Sequence, residues 1–166
     1  QKASRQGIAV KINQNTRQRV ARKPGFYWIK PQEFLEEAPL PKGARSEDYM
    51  NELKKSIEEK GVQRPTILEF DESGRMISHE GRHRSTIAFQ LNKEIPVFID
   101  APGDEWFNKY FDAYPEDEFL KDTSFGRFLK QGQISAAFAY SDNNHEKKLR
   151  KLFNVPDNLI DLGKTE

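Results

Sequence analysis

Four short runs of β-branched and aromatic residues predict the strands of this chain. They cover residues 26–29, 66–70, 75–78 and 95–99, and residues that favour turns separate them from their surroundings. The second and third runs flank Asp71-Glu72-Ser73-Gly74, which is a tight-turn sequence. We therefore expect these two strands to form a hairpin.

Apolar residues at intervals of three and four predict two helices in the same part of the chain. Residues 47–60 carry such a pattern after Ser46, a favoured N-cap residue, and this helix is expected to end at Gly61. A second helix is expected at about 82–91. Residues 31–45 contain three prolines and one glycine, which predicts a loop.

The last part of the chain has a different pattern and is expected to be mainly helical. The aromatic and acidic stretch 106–128 is interpreted as core packing against the sheet, with a partner-binding surface or a lid as the alternatives. A last helix is predicted at 144–153. The patterns together predict an α+β fold, with a small mixed sheet and packed helices at 25–100 and a helical C-terminal extension at 101–166.

Basic residues are concentrated at the start of the chain, although the net charge of the 166 residues is only +1. Residues 1–24 hold seven lysines and arginines and no acidic residue, and a short strand is predicted at 7–12 within them. This basic arm is interpreted as a linker to an upstream domain or as an arm that contacts phosphate, with DNA as its partner. Because Gln1 is not a methionine, we expect a piece of a longer protein, whose other domains would be further partners.

The composition excludes several classes of protein. The chain has no cysteine, which excludes disulfides, thiolate nucleophiles and cysteine-ligated metal centres. No apolar run reaches the length of a membrane span, and no signal-peptide pattern opens the chain, so we expect no membrane as a partner. The expected location is cytoplasmic, since a cysteine-free chain fits a reducing compartment.

The segment 77–89 carries the candidate chemistry, because a predicted strand runs through Gly81 directly into a helix. At such a junction the first helical N–H groups have no intrahelical acceptor and lie at the positive end of the helix dipole, which suits an anion. The alternative is a polar turn with solvated arginines. The side chains that suit a phosphate site are Arg82 and Arg84 as forked donors, Ser85 and Thr86 as hydroxyl donors, His83 as a phosphate-orienting or proton-shuttling group, and Glu80 as a Mg²⁺ ligand or general base.

The order of these segments resembles the ParB/sulfiredoxin superfamily over residues 26–100. One helix leads into Gly61-Val62-Gln63-Arg64-Pro65, a hairpin leads into Glu80-Gly81-Arg82-His83-Arg84, and a second helix leads into Ile95-Pro96-Val97. The middle segment is similar to the Gly-Glu-Arg-Arg box of ParB, to the Gly-Gly-Cys-His-Arg box of sulfiredoxin and to the Asp-Gly-His-His-Arg box of the free serine kinases. The resemblance implies a site for a nucleotide, ATP or CTP, with Mg²⁺.

The resemblance also implies roles for individual residues. Glu80 matches the acidic position of the serine-kinase box. Glu33 lies in a segment loosely similar to the one in which those kinases place a catalytic glutamate, with a surface position as the alternative. The remaining matches are Gly81, Arg82, His83 and Arg84 in the phosphate-binding box, and Gly61, Arg64 and Pro65 in the upstream loop that the family sets against the nucleotide.

The chain also departs from the family. Arg82 occupies the position of the sulfiredoxin cysteine, which excludes reduction of a sulfinic acid through a thiol. The Glu-Asn-X-X-Arg box of ParB has no match at the expected distance, and Asp142-Asn143-Asn144-His145 is interpreted as a helix cap. No helix-turn-helix reader is evident, so centromere-type binding is not expected.

Three functions follow from these observations. The first is a ParB-like nucleotide-binding domain, as an NTP hydrolase or a phosphotransferase that works by positioning and electrostatics. The second is a DNA-associated ParB-type module or nuclease of plasmid or phage origin, in which the arginines and the basic arm bind nucleic-acid phosphate. The third is a non-catalytic interaction domain of a larger protein, with a degenerate pocket.

Overall fold

A four-stranded sheet forms the centre of the computed structural model, which describes residues 22–163. The fold is therefore α+β, as the sequence predicts. The strands are β1 (Gly25–Ile29), β2 (Thr66–Phe70), β3 (Met76–Glu80) and β4 (Ile95–Asp100). The helices are α1 (Pro31–Glu37), α2 (Glu47–Lys60), α3 (Arg82–Gln90), α4 (Glu105–Ala113), a 3₁₀ helix (Pro115–Leu120), α5 (Ser124–Lys130), α6 (Ile134–Ala139) and α7 (Asn143–Phe153).

The sheet is mixed, with the strand order β1-β4-β2-β3. The central strand β4 runs antiparallel to β1 and parallel to β2, while β2 and β3 form the predicted antiparallel hairpin. All six residues of β4 are buried. The connection between the parallel strands β2 and β4 runs through β3 and α3. Because β3 is antiparallel to β2, with Glu80 opposite Ile67, the start of α3 lies beside the start of β2.

The two faces of the sheet carry two hydrophobic clusters because successive residues of a strand point to opposite faces. Ile95, Val97 and Ile99 of β4 belong to the cluster that also contains buried residues of α1, α2 and α3. Phe98 belongs to the second cluster, which contains the buried residues of α4 to α7. The site described below depends on the first group of helices, and the second group supports the sheet from behind.

Local sequence signals account for the ends of the helices. The Ser46 hydroxyl accepts the N–H of Tyr49 at 3.1 Å and caps α2. Gly61 ends the same helix with a φ of 74°. The Asp142 carboxylate accepts the N–H of His145 at 2.9 Å, which confirms the interpretation of that motif as the cap of α7.

The aromatic stretch 106–128 contributes buried rings to the second cluster, so core packing is confirmed there.

The structure corrects the prediction of a loop at 31–45. Pro31 is the first residue of α1, where a proline has no hydrogen bond to lose and its fixed φ suits the helix. Phe34 of this helix is fully buried. The prolines therefore bound a short helix, and the remainder of the range connects it to α2.

The structure also corrects the interpretation of Arg22 as part of a free basic arm. Its guanidinium lies 2.6 Å from the Glu37 carboxylate and above the ring of Phe70, and Arg22 is 3% exposed. This arginine therefore anchors the start of the described chain and is not available to a phosphate backbone. The rest of the arm, with the predicted strand at 7–12, lies outside the described residues.

The described helices are all too short or too polar to cross a membrane.

Candidate functional site

One cavity of about 370 Å³ lies where the upstream loop meets the start of α3. The loop residues 61–64 and the turn residues 80–84 line it together, although residues 65–79 separate them in the sequence. Helix α2 forms one side with Tyr49 and Leu53, and Ile160 from the C-terminal segment forms another. The structure therefore brings the two segments that the sequence analysis singled out into one concave site.

The backbone turn at Gly81 is required by packing within the protein. Gly81 has a φ of 117°, which L side chains rarely adopt. A Cβ at this position would lie 2.5 Å from the Cγ2 atom of Thr66. The Thr66 hydroxyl donates to the Pro96 carbonyl at 2.9 Å and so holds Thr66 in place. The glycine thus lets the β3–α3 turn lie directly against the start of β2.

Helix α3 begins at this turn without a side-chain cap. The Gly81 carbonyl accepts the N–H of Ser85 at 2.9 Å, which starts the helical hydrogen bonding. Gly81, Arg82 and His83 all line the cavity. The positive end of the α3 dipole therefore lies at the cavity wall, where it favours an anion.

Arg84 and Glu80 form an ion pair inside the turn, which differs from the expectation for both residues. The two terminal nitrogens of Arg84 lie 2.6 Å and 3.3 Å from the two Glu80 carboxylate oxygens. Arg84 is 7% exposed and also donates to the Pro65 carbonyl at 3.0 Å. The expected phosphate donor and the expected metal ligand or base therefore bind each other. Their role in this structure is to join β3, α3 and the upstream loop.

Arg82 and Arg45 are the arginines placed to meet a ligand. The Arg82 guanidinium donates one hydrogen bond, of 3.2 Å, to the Pro39 carbonyl, and it forms no ion pair with a described carboxylate. The Arg45 guanidinium lies above the Tyr49 ring, 4.5 Å from its centre. The rings of Tyr49 and His83 pack edge to face, with their centres 5.9 Å apart. These four side chains form a cationic and aromatic end of the cavity.

The charge of the whole cavity lining is positive. Four arginines and a single glutamate line it. His79 also lines the cavity, and burial, followed by the charge of Arg82, lowers its pKa below the ordinary value. His79 is therefore neutral at pH 7 and is able to accept a proton or a hydrogen bond.

Several predicted site residues do not meet the cavity. The Ser85 and Thr86 hydroxyls donate to the carbonyls of Gly81 and Arg82, each at 2.9 Å. Since a hydroxyl has one proton to donate, both are committed to the helix backbone rather than to a ligand. Pro65 is buried and contributes its carbonyl to Arg84.

Glu33 lies in the first turn of α1, away from the cavity lining. Its carboxylate accepts the N–H of Lys30 at 3.2 Å, as the N3 residue of a capping box. The structure does not bring Glu33 together with the turn at Gly81. Its catalytic role therefore finds no geometric support, and its contact is that of a helix cap.

Arg45, Tyr49, Leu53 and Ile160 line the cavity although the sequence did not single them out as site residues. Tyr49 and Leu53 belong to the apolar pattern that predicts α2, and both are half-buried at the cavity. Both residues lie on one face of the helix that leads into the Gly61 loop, one turn apart, and this position is the signal that could have indicated them. Ile160 has no such signal, because only the path of the chain after α7 brings it to the loop.

In comparisons with protein-family models, with curated proteins and with solved structures, the chain has no match. Its function is therefore argued from its own residues and geometry.

Proposed function

We propose that this chain binds a nucleoside triphosphate, ATP or CTP, in the cavity between α2 and the start of α3, as a domain of the ParB/sulfiredoxin type. The observation that carries the proposal is the meeting of loop residues 61–64 with turn residues 80–84 in one positively charged cavity. These are two of the three segments on which the resemblance depends. A cavity of about 370 Å³ falls within the range that small-molecule sites occupy.

The phosphates are placed at the start of α3 in this proposal. The backbone at Gly81 and Arg82, the positive end of the helix dipole and the Arg82 guanidinium converge there. Arg45 adds a second guanidinium to the cavity lining, where it lies exposed beside Tyr49. The Glu80–Arg84 pair positions this turn and makes no direct phosphate contact.

The residues around the cavity do not fit a Mg²⁺ ion held by the protein itself. Glu80 is the one carboxylate in the lining, and both of its oxygens accept hydrogen bonds from Arg84. A divalent cation there would meet the positive charge of that guanidinium. Within the described part of the chain, no group of three histidines or carboxylates is placed to hold a metal.

The proposal concerns binding and includes no chemical step. Hydrolysis or phosphoryl transfer needs a base or a group that orients the nucleophile, and the expected base Glu80 is engaged by Arg84. His83 and His79 both line the cavity and stay the candidates for proton transfer. DNA binding through the basic arm stays a prediction, since residues 1–21 lie outside the described part.

Isothermal titration calorimetry with ATP, CTP and GTP, with and without Mg²⁺, tests the proposal. We expect binding of ATP or CTP that weakens about tenfold or more in Arg82→Ala, because a charge-assisted hydrogen bond is lost. The matched control is Arg75→Ala, an exposed arginine in the β2–β3 turn that does not line the cavity. The proposal is wrong if the natural chain binds no triphosphate at millimolar concentration. It is also wrong if Arg82→Ala binds the nucleotide as tightly as the control Arg75→Ala.

A further inference from the structure

The segment that follows α7 is held firmly against the body of the protein. The terminal nitrogens of Arg150 donate to the carbonyls of Pro156 and Leu159 at 3.0 Å and 2.9 Å. Leu159 is fully buried and Leu162 is 3% exposed, and both belong to the hydrophobic cluster behind the sheet. Residues 156–163, called the C-terminal wall below, therefore have a defined position.

Between these two buried leucines the C-terminal wall reaches the cavity. The N–H of Ile160 donates to the Gln63 carbonyl at 2.9 Å, which joins the wall to the upstream loop through the backbone. The Asp161 carboxylate lies 3.9 Å from the Arg64 guanidinium and adds a second contact to the same loop. This backbone hydrogen bond keeps residue 160 beside the upstream loop although its side chain is not buried.

The Ile160 side chain is 48% exposed and lines the cavity. An apolar side chain fixed in this way offers a surface to an apolar part of a ligand. Leu53 lines the same cavity from α2 and is half-buried. The arginines Arg45 and Arg82 lie at the end marked by the contact between Tyr49 and His83.

The cavity therefore has two chemically different ends. The helix α2 spans both, since Tyr49 and Ile57 lie about 12 Å apart along its axis at 1.5 Å per residue. One end offers guanidinium groups to an anion, and the Gly61 end carries the apolar residues Ile57, Val62 and Ile160, together with Arg64, whose guanidinium lies 3.9 Å from the Asp161 carboxylate. A ligand that satisfies both ends has a phosphate group and a flat or apolar body.

We propose that Ile160 is a specificity-determining residue whose side chain packs against the base of the bound nucleotide. The inference rests on the proposed function and adds to it a residue from outside the segments that carry the family resemblance. In this arrangement the C-terminal wall favours a nucleotide over a simple polyphosphate because it contacts the base. Arg82 and the start of α3 bind the phosphates.

Calorimetry with two probes, ATP and inorganic tripolyphosphate, separates these roles. We expect Ile160→Ala to weaken ATP binding about fivefold and to leave tripolyphosphate binding unchanged, because the apolar contact involves only the base. Arg82→Ala is expected to weaken both probes. The matched control is Ile77→Ala, which removes another exposed isoleucine, in β3, that does not line this cavity.

The outcomes distinguish the two proposals. If Ile160→Ala binds ATP as tightly as the natural chain, or loses affinity for both probes equally, the role of Ile160 is refuted while the effect of Arg82→Ala still supports the nucleotide site. If neither probe binds the natural chain, the nucleotide site itself is refuted. Circular dichroism of each variant checks that the fold is retained, which the backbone contacts of residue 160 favour.

Discussion

The Arg84 guanidinium lies 2.6 Å from the Glu80 carboxylate and thereby joins the last residue of β3 to the third residue of α3. The same guanidinium donates to the Pro65 carbonyl, so one side chain links three segments that meet at the cavity. A buried arginine with a carboxylate partner contributes to the shape of a site more than to its charge. Of the two arginines in this turn, Arg84 is therefore a structural residue and Arg82 is the one that faces a ligand.

Replacing Arg84 by alanine is expected to destabilise the fold. The change leaves the partly buried Glu80 carboxylate and the Pro65 carbonyl without their donor, which lowers the free energy of unfolding by about 2–3 kcal/mol. Urea denaturation at pH 7 measures the loss. The control Arg82→Ala removes an exposed hydrogen bond to Pro39 and is expected to cost less than about 1 kcal/mol. Equal losses in the two variants would contradict the structural role of Arg84.

Replacing Gly81 by alanine is expected to cost about 2 kcal/mol or more, from a φ of 117° and from a clash with Thr66. The variant Thr66→Ser removes the Cγ2 atom that the new Cβ would meet and keeps the hydroxyl that donates to Pro96. In a double-mutant cycle we expect Gly81→Ala to be less costly in the Thr66→Ser background. If the losses in free energy of unfolding measured by urea denaturation are strictly additive, the close contact with Thr66 does not contribute to the cost of Gly81→Ala.

The buried carboxyl of Asp100 is expected to make the fold less stable as pH rises from 4 to 7. Burial raises the pKa of Asp100 to about 6, although hydrogen bonds from the Ser135 N–H and hydroxyl act in the opposite direction. Because the folded pKa is above the unfolded value, the stabilising contribution is complete below pH 4 and disappears as pH rises through about 6. The group accounts for about 2–3 kcal/mol of the free energy of unfolding over this range.

The variant Asp100→Asn tests this assignment. Its side-chain oxygen accepts from the Ser135 N–H and its amide nitrogen donates to the Ser135 hydroxyl, so both contacts are kept without a titrating group. We expect the variant to lack the loss of stability between pH 4 and 7 and to be the more stable protein at pH 7. Urea denaturation across this range gives the comparison, and parallel pH profiles for the two proteins would refute the prediction.

The hydrogen bond from Tyr110 to Asp117 is expected to stabilise the fold near neutral pH and less in acid. Burial alone would raise the pKa of Asp117, but hydrogen bonds from Lys148 and Tyr110 outweigh it and hold the pKa below the ordinary value. With the folded pKa below the unfolded one, this contribution is present above about pH 4 and is lost as pH falls further. Tyr110→Phe is expected to cost about 1–2 kcal/mol at pH 7.

The matched control for this bond is Tyr114→Phe, which removes a hydroxyl from a neighbouring half-buried tyrosine. Thermal or urea denaturation at pH 7 is expected to show a larger loss for Tyr110→Phe than for Tyr114→Phe. The difference is expected to shrink below pH 4, where Asp117 takes up a proton. A difference that is the same at both pH values would place its origin outside the hydrogen bond to the carboxylate.

The sequence alone determined the types of most elements and the bounds of some, such as α2, whereas it indicated the helices between residues 105 and 139 only as a mainly helical region. Runs of β-branched and aromatic residues predict the four strands, and the caps at Ser46 and Asp142 mark two helices, because these signals act between residues a few positions apart. The helix at Pro31–Glu37 escaped prediction. Proline is typical of loops and of the first turn of a helix, and burial of Phe34 in the tertiary structure decides between them.

The candidate site was identified in the sequence as a segment, but the tasks of its side chains were decided by tertiary contacts. By its chemistry the Glu80 carboxylate suits a metal ion and the Arg84 guanidinium suits a phosphate. In the fold they bind each other, and Arg84 also donates to the carbonyl of Pro65 beside the turn. Arg22 is basic in composition and buried in the fold. Ile160 reaches the cavity through a backbone contact with Gln63. A sequence records which groups are able to interact, whereas the distance between them decides which interactions form.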